Sequence, residues 1–205
     1  MNKTFSFLRT ATVVAVACTT LGGCAALLIG GAVGTALVAS DRRTSGVLIE
    51  DQAIELKAAN RVRETVGDRG HVSATSYNRM LLLTGEVASE ADRTAIEQTV
   101  SRIDNLRSTV NELAVMGSSS LTARSNDAVL TSKVKASYLD AKDLQANAVK
   151  VVSERGTVFL MGRVTEREAT RASDLARGVS GVQKVVRVFE ILTEAELAAM
   201  GGTRS

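Results

Sequence analysis

A duplication constrains this chain more than any other feature. The run Leu81-Leu82-Leu83-Thr84-Gly85-Glu86-Val87 is matched by Val158-Phe159-Leu160-Met161-Gly162-Arg163-Val164. Gly85 and Gly162 stand 77 residues apart, as do Val87 and Val164, and Val72 and Val149. Downstream the offset becomes 76, pairing Ile103 with Val179, Leu106 with Val182 and Val110 with Val186. A one-residue slip inside the intervening helix accounts for the change. A repeat of this length predicts two homologous domains, not a short-period solenoid, and 205 residues are enough for two small ones.

Each copy reads as helix, strand, strand, helix, strand. In copy two, Leu130, Val134 and Tyr138 recur every four residues along one helix face, and Asn126 or Asp127 is a candidate cap for its start. Val149, Val151 and Ser153 alternate toward a turn at Glu154-Arg155-Gly156, and the next strand runs from Val158. Gly162 inside that strand marks a bulge or a close backbone approach. Thr165 with Glu168 predicts a capped helix start, and Gly178 and Gly181 its end. Val182, Val185 and Val186 through Ile191 give the last strand. Copy one repeats the order, with Asp51, Ile54 and Ala58 in its first helix, a central strand over Arg79 to Val87, and Ser89 starting its second helix. The fold class expected is therefore α+β, in two tandem domains.

The first residues read as an export signal. Lys3 and Arg9 are a basic start, Ala11 to Leu21 a short apolar run, and Gly22 and Gly23 small residues before Cys24. Leu21-Gly22-Gly23-Cys24 resembles the lipobox of bacterial lipoproteins. That resemblance implies cleavage before Cys24, lipid on its thiol and, with Ala25 rather than Asp next, delivery to the outer membrane. Cys18 competes, although Ala15 stands where a large aliphatic residue is expected. An uncleaved anchor is the other reading, since Thr10 to Ser40 is uncharged and long enough to span a bilayer. Both cysteines lie within the first 24 residues, so the remainder can form neither a disulfide nor a cysteine metal site. The boundaries that follow are a signal peptide over 1–23, a lipidated tether over 24–47 with a flexible stretch from Ser40 to Gly46, domain one over 48–115, a linker over 116–124, domain two over 125–192 and a tail over 193–205.

Charge divides unevenly between the copies. Leu48 to Val115 holds 8 Lys and Arg against 11 Asp and Glu, net −3, and Ser125 to Leu192 holds 11 against 8, net +3. Copy two is thus the better candidate for an anionic surface, and the alternative is an ordinary solvated surface. With Leu130, Val134 and Tyr138 facing the sheet, Val129, Lys133 and Ala136 point elsewhere. Val129 beside Lys133 and Lys135 forms a small apolar wedge with a cationic flank, or else a Val partly buried at a helix edge. Catalytic signals are weak. The lone His71 reads as structural, and no phosphate loop, zinc-ligand set or nucleophile motif occurs. Glu166 and Glu168 suit a helix first turn better than an acid/base pair. Aromatic residues are 3% of the chain and Trp is absent, too few for a nucleic-acid stacking platform. Neither an enzyme nor a cofactor is expected.

Asp127 through Leu130 and Val134, then Val158 to Val164, then Gly178-Val179-Ser180-Gly181-Val182 with Val185, resemble the BON domain. Copy one keeps Gly85 and Val87 but carries Ile103-Asp104-Asn105-Leu106 in place of the Gly-Val pair, and is the weaker match. The whole layout is similar to two-BON outer-membrane lipoproteins linked to division and outer-membrane stress. The resemblance implies a lipid-anchored, periplasm-facing protein that binds anionic phospholipid and supports envelope integrity, with Val129, Lys133, Lys135 and Ala136 as its lipid-binding candidates. The alternative function is a protein-interaction adaptor in outer-membrane assembly, docking through copy one.

Overall fold

A computed structural model describes residues 41–202, which lie in one compact unit beginning at Asp41. The export signal and Cys24 fall outside the described residues. No helix among those residues is long and apolar enough to cross a membrane.

Each copy contains the expected order. Domain one has α1 (Ser45–Val66), β1 (His71–Tyr77), β2 (Met80–Val87), α2 (Glu90–Val100) and a last strand broken into β3 (Ser108–Asn111) and β4 (Ala114–Val115). Domain two has α3 (Leu121–Asp140), β5 (Val149–Glu154), β6 (Thr157–Thr165), α4 (Glu166–Arg177) and β7 (Lys184–Leu192), followed by α5 (Glu194–Gly202). In both, the first two strands form an antiparallel hairpin, and the last runs parallel to the central strand. A parallel neighbour needs a crossover, and α2 and α4 provide it.

The hairpins turn in two residues, Asn78-Arg79 and Arg155-Gly156, all four at positive φ. That is the tight turn whose twist matches the flanking strands. Each turn is gripped by a buried aspartate from the first helix of its own copy. Asp51 accepts from the Asn78 and Arg79 amides at 2.8 and 2.7 Å. Asp127 accepts from the Arg155 and Gly156 amides at 2.8 and 3.0 Å. Asp127 is therefore not a helix cap. The α3 helix begins earlier, where the Ser120 hydroxyl accepts from the Ala123 amide at 3.1 Å. The helix runs six residues upstream of Asp127, so its carboxylate is free to hold the turn.

The two glycines that revealed the duplication allow close approach rather than a bulge. A Cβ on Gly162 would lie 2.3 Å from the Ala148 carbonyl oxygen, and one on Gly85 2.0 Å from that of His71. The Thr165–Glu168 capping box forms as expected, and Gly178 ends α4.

Alternation along the central strands creates three cores. Leu81, Leu83 and Val87 face α1 and α2, packing with Ile54, Ala58 and Ile96. Val158, Leu160 and Val164 face α3 and α4, packing with Leu130, Val134 and Ala172. The intervening residues form a third cluster of Tyr77, Leu82, Phe159, Met161 and Val188. That cluster joins the opposite faces of the two sheets, so each sheet is covered on both sides and the helices lie outside.

Three segments differ from the pattern read in the sequence. Asp41 to Gly46, expected to be flexible, is tied to both domains through Arg42 and Arg43, and α1 already starts at Ser45. Helix α3 starts at Leu121, inside the expected linker. The tail contains α5. In the first case the reason is two buried carboxylates, Glu168 and Asp51, whose charge these arginines balance.

Candidate functional site

Helix α3 is the element on which the candidate lipid residues converge. Asp127, Leu130, Val134 and Tyr138 fix its inner face, and the Tyr138 hydroxyl donates to the Ala172 carbonyl of α4 at 3.0 Å. With rotation locked in this way, the outer face is set by helical periodicity. Val129, Lys133, Lys135 and Ala136 are all exposed, Val129 at 54%. Val129 is thus exposed, and the partly buried alternative for it is not observed.

The helix divides these four residues between two sides. Val129 and Lys133 line an open groove of about 360 Å³ with Asn126, Arg155, Ser180 and Gln183. Lys135 lines a different groove, of about 320 Å³, with Tyr138, Leu139, Arg43, Tyr77 and Lys150. Ala136 lines neither. Two larger apolar residues complete the exposed face, Leu121 at 78% and Leu139 at 73%. They project in the same direction, because eighteen residues are five full turns of an α-helix. Sequence reasoning passed over both. The available signal was that each lies off the buried series Asp127, Leu130, Val134, Tyr138 while still being leucine. The resulting face carries Leu121, Ala128, Val129, Ala136 and Leu139 over about 27 Å, with Lys133 and Lys135 on its two flanks.

The seam between the domains carries the strongest electrostatics. Arg42 makes a bidentate pair with Glu168, both contacts 2.7 Å, and also donates to the Arg163 carbonyl at 2.7 Å and the Gln145 side chain at 3.0 Å. Its hydrogen bonds, outweighing burial, hold the Glu168 carboxyl below the usual carboxylate range. Next to it, Arg43 pairs with Asp51 at 2.8 Å and stacks over the Tyr77 ring at 4.1 Å. At the other end, fully buried Glu86 accepts from Arg155 at 3.3 Å and from the Ser119 amide at 3.0 Å. Burial, with Glu86 and Asp127 nearby, pushes the Glu154 carboxyl up to about 7. Burial and the neighbouring Arg124 lower the pKa of His71, which lines a further groove with Arg124, Asp127 and Glu154. Among the described residues no group of three or more His, Cys, Asp or Glu is placed to hold a metal ion.

Domain one offers a contrast. By the shared buried aspartates, Ala53 and Lys57 of α1 stand where Val129 and Lys133 stand on α3. Its exposed large apolar residues are instead Ile49 and Leu56, at 68% and 65%.

Comparison with known proteins agrees with this duplicated architecture. The chain is 38% identical over 174 residues to the outer membrane lipoprotein DolP of Haemophilus influenzae, covering 84% of this chain and 90% of that protein. It is 25% identical over 151 residues to a 21 kDa hemolysin of Actinobacillus pleuropneumoniae, covering 73% and 78%. It is 26% identical over 156 residues to the osmotically-inducible protein Y of Escherichia coli, covering 72% and 76%. The BON-domain model matches twice, at residues 50–117 and 126–193, each match holding one hairpin, one crossover helix and one parallel strand. With two complete copies of that unit, the chain belongs to the BON-domain family.

Proposed function

We propose that this protein is an outer-membrane lipoprotein, anchored through Cys24 and facing the periplasm, whose α3 helix binds anionic phospholipid and thereby supports envelope integrity. Its role is binding rather than catalysis. The observation that carries this reading is the outer face of α3. An apolar stripe about 27 Å long between two lysines suits a helix lying in a head-group layer. Each cation near an anionic bilayer contributes roughly 1 kcal/mol. The relative from Haemophilus influenzae is itself named an outer membrane lipoprotein, which supports the location and the anchor. Acyl chains on Cys24 would hold the domains at high local concentration near head groups, so weak contacts become populated.

The test is flotation of the segment 41–205, which holds all three described cores, with anionic and with neutral vesicles. It is expected to float with the anionic vesicles only. Val129→Glu with Lys133→Glu should abolish flotation with the fold intact by circular dichroism, and Ala53→Glu with Lys57→Glu should change it little. Undiminished flotation of the α3 variant would place the contact elsewhere.

The alternative is a protein-interaction adaptor in outer-membrane assembly. Ile49 and Leu56, seven residues apart on the outer face of α1, favour it, because two large exposed aliphatics on one helix face are a usual docking pattern.

A further inference from the structure

The groove of about 320 Å³ at the domain seam is built by both copies. Arg43 and Tyr77 come from domain one and its leading strap, and Lys135, Tyr138, Leu139 and Lys150 from domain two. Its volume is at the lower end for small-ligand sites, which begin near roughly 300 Å³. Three of its lining residues are cations and none is a carboxylate. The counter-ions stand behind the wall, with Asp41 and Asp51 on Arg43 and Glu55 on Lys150.

Donors remain available. Arg43 spends three N–H groups on those aspartates, of five that a guanidinium carries. Lys150 spends two on Glu55 and the Ser76 carbonyl, of three. The Tyr77 hydroxyl is buried beneath the groove, with the Arg163 backbone beside it. Beside these polar groups, the exposed Leu139 side chain gives an apolar edge continuous with the outer face of α3.

We propose that this seam groove is a binding site for a single anionic amphiphile, its phosphodiester head held by Arg43, Lys135 and Lys150 and its first aliphatic carbons lying against Leu139. A phosphodiester offers two anionic oxygens to a set of converging donors, and an attached chain follows the apolar edge outward. The choice of a phospholipid as the amphiphile rests on the reading of α3 above. The groove itself does not.

The chain has two tyrosines and no tryptophan, and both tyrosines line this groove. Tyrosine emission therefore reports on the site directly. Titrating the segment 41–205 with dihexanoyl phosphatidylglycerol below its micelle threshold should give a saturable change. Dihexanoyl phosphatidylcholine and inorganic phosphate should give none over the same range. Lys150→Gln, which lies off the α3 stripe, should weaken binding roughly tenfold, about the worth of one charge-assisted hydrogen bond. Val129→Glu with Lys133→Glu should lose vesicle flotation yet keep the tyrosine titration, so failure of the α3 reading and failure of the groove give different results. No saturable change, equal response to the zwitterionic lipid or to phosphate alone, or an unaltered Lys150→Gln titration would overturn the proposal.

Discussion

At the level of single residues, Arg42 is the side chain whose role depends most on context. In the sequence it is one of two arginines in a polar stretch after an apolar run. In the structure it is 9% exposed and makes four hydrogen bonds, all to domain two. Removing one partner of a buried pair leaves an uncompensated charge and costs about 3–5 kcal/mol. Arg42→Ala is thus expected to lower the unfolding free energy by that amount in urea denaturation. Arg42→Lys should recover only part, since a point charge cannot reproduce the bidentate fork. Because the Glu168 carboxyl is held below its ordinary value, its contribution is present above the usual carboxylate range and is lost as pH falls. The penalty in Arg42→Ala should shrink accordingly in acid.

At the level of elements, the two glycines show how identical sequence signals rest on different local conditions. Gly85 has φ +112, whereas Gly162 does not fall in the positive region. Both have a carbonyl oxygen where a Cβ would go. Gly162→Ala must displace the chain at Ala148, just before β5, and is expected to cost at least about 1 kcal/mol. Gly85→Ala adds backbone strain of a further 1–3 kcal/mol or so, and should be the worse of the two in thermal unfolding. Helix starts were legible because caps are local. Ser89 and Thr165 each accept from an amide three residues on, as their neighbours imply. The start of α3 was not, because Asn126 and Asp127 are also good capping residues, and only the turn at Arg155-Gly156 reveals what Asp127 holds.

At the level of the whole molecule, the junction couples the two domains to pH. Glu154 faces Glu86 and Asp127, with Arg124 and Arg155 opposing them and His71 across the same groove. Its carboxyl is raised from 4.5 to about 7, chiefly by burial. Folding then favours the protonated form, so the contribution is full below the ordinary carboxylate value and is lost as pH rises through about 7. The melting temperature should therefore decline from pH 5 to pH 7.5, and Glu154→Gln should flatten that decline and raise stability at pH 8. A variant with an unchanged slope would place the pH dependence in other groups.

Duplication, element order and the turn of copy two followed from the sequence alone, because periodicity, turns and caps depend on residues close together in the chain, whereas the sequence left Val129 open between an outward and a partly buried place. The outward leucines of α3 were readable in principle, from the same periodicity. The packing of sheet against sheet was only hinted at. Leu81-Leu82-Leu83 and Val158-Phe159-Leu160-Met161 are apolar at every position, as strands covered on both faces must be. What covers the second face was decided by tertiary structure, which brings Leu82 and Tyr77 onto Phe159 and Met161. The same packing decides the partners of Arg42, the burial of Glu86 and the seam groove, since Arg42 and Glu168 lie 126 positions apart and Glu86 and Arg155 lie 69 apart, and no local pattern in a single chain records such distances.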